Sequence, residues 1–102
     1  MANQFGEKIR KLRDEKRLLL REVAIQLDID IPMLSKIERG ERKAKKQQIR
    51  LFSKILKANR DDLLTLWLAD QVVEVLEDEE LALKAIQVAE EEVKYNLKKK
   101  NT

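Results

Sequence analysis

Length, composition and charge limit what this chain of 102 residues can be. Because it contains no cysteine and no histidine, disulfides and thiolate metal sites are excluded, and the usual zinc ligands and the commonest general base are missing. We therefore expect no metal, no cofactor and no enzymatic activity, in an all-α protein with one modest core, since only two glycines and one proline would interrupt helices.

The net charge of +3 is unevenly distributed along the chain. Residues 1–60 carry 17 Lys or Arg against 8 Asp or Glu, whereas residues 61–102 carry 5 against 11. A basic half followed by an acidic half indicates that the first meets a polyanion and the second faces solvent or a protein partner. The alternative is that both halves only present solvated helix faces.

Three helices are predicted in the first forty residues. Apolar residues at helical spacing predict the first from about Asn3 and the second from about Leu20 to Leu27. Asp28 tolerates the left-handed backbone of a tight turn between helices. Asp30 is a suitable N-cap for a third helix over residues 31–39, and Gly40 suits its C-terminus.

A charged loop over residues 41–46 leads to a fourth helix, with Ile49, Phe52 and Leu56 directed inward, and Asn59 is the predicted break before a fifth. Further apolar positions predict helical structure from Asp61 onward. The acidic run at residues 77–80 either ends this helix or begins the last one.

The second and third helices form a compact pair in this interpretation. Ala24 is small enough to let them approach, and Leu34 and Ile37 face inward. A helical wheel then places Pro32, Ser35, Lys36 and Arg39 on the solvent side of the third helix. This face is short, polar and cationic, as entry into the major groove of DNA requires.

The sequence resembles the Xre family of helix-turn-helix regulators, which includes phage repressors and Cro. The resemblance covers about residues 5–66 and rests on residues 9–13, on Val23-Ala24 with Leu27, and on the run Leu34-Ser35-Lys36-Ile37-Glu38-Arg39-Gly40. It implies a five-helix, lambda-repressor-like DNA-binding domain over residues 1–66, dimeric action and transcriptional control. Residues 67–102 would then be a helical extension that serves dimerisation.

The resemblance also implies roles for individual residues. Ile31, Pro32 and Lys36 take positions that read base edges, with Ser35 on the same face, while Arg39, Arg42 and Lys43 take positions that grip phosphates. Arg13 and Glu38 match an internal ion pair, so Glu38 is interpreted as scaffold.

Two departures from the family pattern bear on the contacts with DNA, besides Asp28 in place of the common turn glycine. Leu19 and Leu20 occupy positions where relatives have Ser or Thr followed by Gln, so a phosphate contact is lost. Arg21 either replaces that contact or has only a surface role. Ile31 has no hydrogen-bond donor and is assigned to a thymine methyl group. Lys36 is then the main polar side chain that contacts a base, which we expect to be guanine. The alternative is that Lys36 only pairs with a phosphate.

The C-terminal apolar residues either close the core or form an interface with a second copy. We expect a two-fold dimer with Trp67, Leu68, Val72 and Val75 at its interface, which would set two third helices about 34 Å apart on DNA.

Two other function classes are considered. The first is a protein-interaction module, such as an antitoxin or the regulatory partner of a larger enzyme. The second is an enzyme, which the scattered acids and hydroxyls do not favour. Within the family, a controller protein of a restriction-modification operon fits a small stand-alone chain. The lack of a signal-like or membrane-spanning segment favours a cytoplasmic protein.

Overall fold

The computed structural model describes residues 2–101 and is helical throughout, with no strand in that range. Its six helices are α1 (Gln4–Glu15), α2 (Leu20–Leu27), α3 (Ile31–Glu38), α4 (Lys46–Leu56), α5 (Arg60–Leu76) and α6 (Ala82–Lys100). The predicted all-α class is confirmed. The acidic run at residues 77–80 lies in the connection between α5 and α6.

One hydrophobic core joins α1 through α5, which pack against one another. Phe52 of α4 lies at its centre with no exposed surface, and its ring meets Phe5 of α1 edge to face, with ring centroids 5.5 Å apart. Leu34 of α3 and Leu63 of α5 are also fully buried. The core therefore fixes α3 against α1 and α2 and leaves its opposite side for solvent.

Local signals in the sequence explain where α3 begins and ends. The Asp30 carboxylate accepts a hydrogen bond from the Met33 amide at 2.8 Å, which satisfies one of the free N–H groups of the first turn. At the other end, Gly40 has a φ of 78°, and its amide donates to the carbonyl of Ile37. The next amide, that of Glu41, donates to the carbonyl of Lys36 at 2.9 Å. This pair of bonds is a Schellman motif, which glycine favours because it has no Cβ to oppose the left-handed backbone.

The start of α1 is held by residues distant in the chain. Both oxygens of the Asp70 carboxylate, on α5, accept hydrogen bonds at 2.9 Å from the amides of Gln4 and Phe5. The Asn3 side chain donates to the carbonyl of Glu38 at 2.9 Å. The first turn of α1 is thereby joined to α5 on one side and to the end of α3 on the other.

The second half of α5 and the whole of α6 lie outside this core. Leu63 is buried and Trp67 packs against the core, but Leu68, Val72 and Val75 are exposed. No described residue of α6 is buried. The C-terminal apolar residues thus fall into two groups. Those in the early part of α5 close the core, whereas those in the later part of α5 and in α6 remain largely exposed. Every helix within residues 2–101 is too short or too polar to cross a bilayer.

Candidate nucleic-acid interface

The solvent face of α3 carries the side chains that the helical wheel predicted. Pro32, Lys36 and Arg39 are exposed, Ser35 is half-buried, and Ile31 at the start of the helix retains 45% of its accessible surface. Leu34 and Ile37, by contrast, are buried on the opposite side. The result is a short polar face with two cations that stands clear of the scaffold behind it.

Arg39 already has partners on this face. Its guanidinium donates through Nη1 to the Ser35 hydroxyl at 3.0 Å and through Nε to the carboxylate of Glu41. Both members of the ion pair with Glu41 are about half exposed. A phosphate approaching Arg39 must therefore compete with Glu41, a residue that the sequence analysis did not single out although it lies only two positions away.

The loop after α3 is anchored to α5. Ala44 is buried, and its carbonyl accepts a hydrogen bond from the Trp67 indole N–H at 2.8 Å. Lys43 extends toward α5, with its Nζ 3.3 Å from Oε1 of Gln71 and 5.9 Å from the centre of the Trp67 ring. Arg42 is also exposed, and within the described residues no hydrogen bond or ion pair joins its side chain to α5.

The start of α2 is capped without the residues typical of the family. The Leu19 amide donates to a carboxylate oxygen of Glu22 at 2.9 Å. Leu19 has no acceptor to return the bond, so only half of a capping box forms. Arg21 is exposed in the first turn of α2, one position beyond the Leu20 that replaces the usual glutamine.

Glu38 lies inside the scaffold and not on the exposed face. Its two carboxylate oxygens accept hydrogen bonds from Nε and Nη2 of Arg13, at 2.7 and 3.0 Å, and Nη1 of Arg13 donates to the carbonyl of Leu18. The hydrogen bond to Glu38 raises the pKa of Arg13 above its ordinary value, despite the opposing effect of burial, so the guanidinium stays charged. The ion pair that the resemblance implied is present.

A shallow depression beside α3 adds one residue that the sequence analysis missed. It has a volume of about 200 Å³ and is lined by Arg10, Arg13, Leu20, Ser35, Glu38 and Arg39. Arg10 is an exposed cation of α1 that thereby lies next to the polar face of α3. Only the packing of α1 on α3 places Arg10 beside the polar face of α3, so the pattern of α1 alone gives no signal for it.

The residues predicted for dimerisation do not share one environment. Trp67 is half-buried against the core and hydrogen-bonded to Ala44, whereas Leu68, Val72 and Val75 lie on another face of α5 and are exposed. Within the described chain, the indole thus holds the loop that carries Arg42.

Comparison with known proteins agrees with this arrangement. The profile of the helix-turn-helix domain family matches residues 4–66, which is more than half of the chain. The chain belongs to this family. The helix-turn-helix domain comprises α1 to α4 and the beginning of α5, as the resemblance to Xre- and Cro-like proteins implied. Neither a curated protein nor a solved structure gives a significant match.

The helix-turn-helix unit itself is formed by α2 and α3. Asp28, at the end of α2, has a φ of 57°, and this left-handed residue turns the chain into α3 within three positions. A helix-turn-helix domain indicates a DNA-binding protein in general, and the exposed face of α3 is where this class meets the major groove.

Proposed function

We propose that this protein is a sequence-specific regulator of transcription of the Xre/Cro-like type, which reads the major groove of double-stranded DNA with residues 31–39. The observation that carries the proposal is the exposed face of α3, on which Lys36 and Arg39 stand over a fully buried Leu34. A short cationic helix that projects from a rigid scaffold fits the width of the major groove.

The side chains divide by the part of DNA they would contact. Ile31, Pro32 and Lys36 face base edges, with Ile31 against a thymine methyl group and Lys36 toward guanine. Arg39, Arg42 and Lys43 contact phosphates, together with Ser35 and Arg21 at the margin of the face. To reach a phosphate, Lys43 must break its hydrogen bond to Gln71, whereas Arg42 is already exposed.

The protein would act in the cytoplasm as a homodimer and without catalytic activity. Two-fold pairing places two copies of α3 about 34 Å apart, one turn of the double helix, so that a dimer reads two inverted half-sites. The exposed apolar residues Leu68, Val72 and Val75 support a second copy on α5.

Selection of binding sites from random duplexes tests this function. The selected sequence is then footprinted with the full chain at a stated salt concentration. We expect one enriched motif with inverted half-sites and protection of the major groove in each half. Equal recovery of all duplexes, with an affinity that depends only on salt, would show non-specific binding and would refute the proposal.

A further inference from the structure

Helix α6 is amphipathic, yet its apolar side has no cover within the described chain. On a wheel of 100° per residue, one stripe that spans about a third of the circumference contains Ala82, Ala85, Ile86, Ala89, Val93 and Leu97. Ile86, Val93 and Leu97 keep 42%, 55% and 56% of their accessible surface. Because most helices in proteins owe their stability to such a packed face, α6 requires a partner for this stripe.

The stripe continues onto α5 across a groove between the two helices. This groove has a volume of about 300 Å³ and is lined only by apolar side chains, those of Val72, Val75, Leu76, Ala85, Ile86 and Ala89. Leu68 extends the exposed apolar surface one turn further along α5. We name the combined surface of Leu68, Val72, Val75, Ile86, Ala89 and Val93 the C-terminal apolar face.

The chain exposes more surface than a self-sufficient monomer of its size. Its accessible area is 7936 Å², whereas about 6,000 Å² is typical of a folded monomer of 12.0 kDa. Its radius of gyration is 15.9 Å, against about 13 Å for a compact chain of this length. The excess of about 2,000 Å² exceeds the ~800 Å² that each partner buries in a standard stable interface.

Charges of opposite sign flank the two ends of α6. Asp78 and Glu80 precede Ala89 by eleven and nine residues, and Lys98 and Lys100 follow it by nine and eleven. Asp78 and Glu80 lie in the turn that precedes α6, and Lys98 and Lys100 lie in its last turn. Two antiparallel copies of α6 that cross at Ala89 therefore bring the acidic turn before one helix near the basic end of the other. A parallel pair would instead place like charges together.

We propose that the C-terminal apolar face binds the same face of a second copy, with the two α6 helices antiparallel and in closest approach at Ala89. This deepens the proposed homodimer, on which it rests, by assigning the pairing to α6, which lies beyond the region that the family profile covers. The small side chains of Ala85 and Ala89 allow the helices to approach, and Ile86 and Val93 fill the space on either side.

Sedimentation equilibrium of the full chain without DNA provides the first test. We expect twice the mass of 12.0 kDa for the natural sequence, and a single chain for Val93→Glu and for Ile86→Glu. Val88→Glu is the matched control, because Val88 is 72% exposed on another side of α6, so this variant should remain a dimer. Thermal unfolding confirms in each variant that the helix-turn-helix domain is folded.

Cysteine cross-linking tests the orientation in a chain that has no natural cysteine. On mild oxidation, Ala89→Cys should form a covalent dimer, because a disulfide needs Cα atoms within about 7 Å of each other. Leu97→Cys, which lies on the same stripe, should not cross-link to its own copy in an antiparallel pair but would do so in a parallel one. Val88→Cys should remain unlinked in either case.

Several results would overturn the pairing. The first is a natural chain that sediments as a monomer. The second is equal loss of the dimer in Val88→Glu and Val93→Glu, and the third is cross-linking of Leu97→Cys. None of them bears on base reading by α3, because these measurements contain no DNA. Conversely, an intact dimer that selects no DNA sequence would refute the proposed function and leave the pairing standing.

Discussion

Arg13 and Glu38 form a two-pronged ion pair that ties α1 to the inner side of α3. The guanidinium donates to both carboxylate oxygens, at 2.7 and 3.0 Å, and the two side chains keep only 12% and 6% of their accessible surface. The pair is matched in shape as well as in charge, which is the arrangement that favours arginine over lysine. The orientation of α3 on the scaffold therefore depends on a charged contact within the core region.

Arg13→Met is expected to lower the free energy of unfolding by about 3–5 kcal/mol, because it leaves the Glu38 carboxylate buried without its partner. Chemical denaturation followed by circular dichroism measures this loss. Arg10→Met serves as the control, since Arg10 is exposed on the same helix. The double variant Arg13→Met, Glu38→Met should recover much of the stability. If it were as unstable as Arg13→Met alone, the buried charge would not be the cause.

The helix boundaries near α3 followed from local signals in the sequence. Asp30 caps the helix, Asp28 takes the left-handed turn and Gly40 closes the C-terminus, as the residue types indicated. Each of these features depends on atoms within a few positions along the chain, so its physics is contained in a short stretch of sequence.

The contacts that position α1 could not be predicted in the same way. Asp70 caps this helix from 66 residues away along the chain, and nothing in the pattern of α5 distinguishes its carboxylate from the other acids of the C-terminal half. Gly6 marks the close approach of α1 to α3, which no local pattern around it indicates. Such contacts arise only when the helices are packed.

Asp70→Asn is expected to destabilise the protein by about 1–2 kcal/mol, because the neutral amide has one acceptor oxygen for two backbone N–H groups and no charge to favour the helix N-terminus. The midpoint of urea unfolding measures the change. Glu74→Gln, one turn further along α5, removes an exposed charge and should shift the midpoint little. Equal shifts in the two variants would indicate a general effect of charge on α5.

Gly6→Ala is expected to destabilise the protein by about 1–3 kcal/mol, although alanine is the better helix former. A Cβ atom at Gly6 would lie 2.5 Å from the carbonyl oxygen of Ile37 and 2.7 Å from that of Glu38, and these backbone atoms cannot move without shifting α3. The melting temperature measures the effect. Lys11→Ala, on the exposed side of α1, is the control and should be nearly neutral. An unchanged or raised melting temperature for Gly6→Ala would show that the two helices separate without cost.

The exposed face of α3 was predictable, but the conformations of its long side chains were not. Helical spacing places Lys36 and Arg39 on the solvent side once Leu34 is assigned to the core. The engagement of Arg39 by Glu41, and of Lys43 by Trp67 and Gln71, depends on which neighbours the fold brings within reach. Periodicity carries no information about that choice.

Glu41→Gln is expected to raise the affinity for DNA by up to about fivefold, because it releases Arg39 from an exposed ion pair and removes a negative charge near the phosphates. Fluorescence anisotropy with the selected duplex measures the affinity as a function of salt. Glu91→Gln changes the net charge equally on α6 and should have a much smaller effect. A gain of the same size in both variants would mean that only the total charge matters.

Lys36→Ala and Arg42→Ala are expected to weaken DNA binding in different ways. Lys36 lies at the middle of the exposed face of α3, and in the proposed complex its ammonium group would reach base edges. Its loss should therefore change which sequences are selected and cost about 1–3 kcal/mol on the preferred site. Arg42 lies in the loop beside this face, and in the proposed complex it would contact the phosphate backbone that all sequences share. Its loss should therefore weaken binding to all duplexes alike and reduce the slope of log affinity against log salt by about 0.9.

Parallel site selections and salt titrations of the two variants separate these effects. If both variants changed the selected motif equally, or if Lys36→Ala left it unaltered, the division between base reading by α3 and phosphate contact by the loop would be wrong.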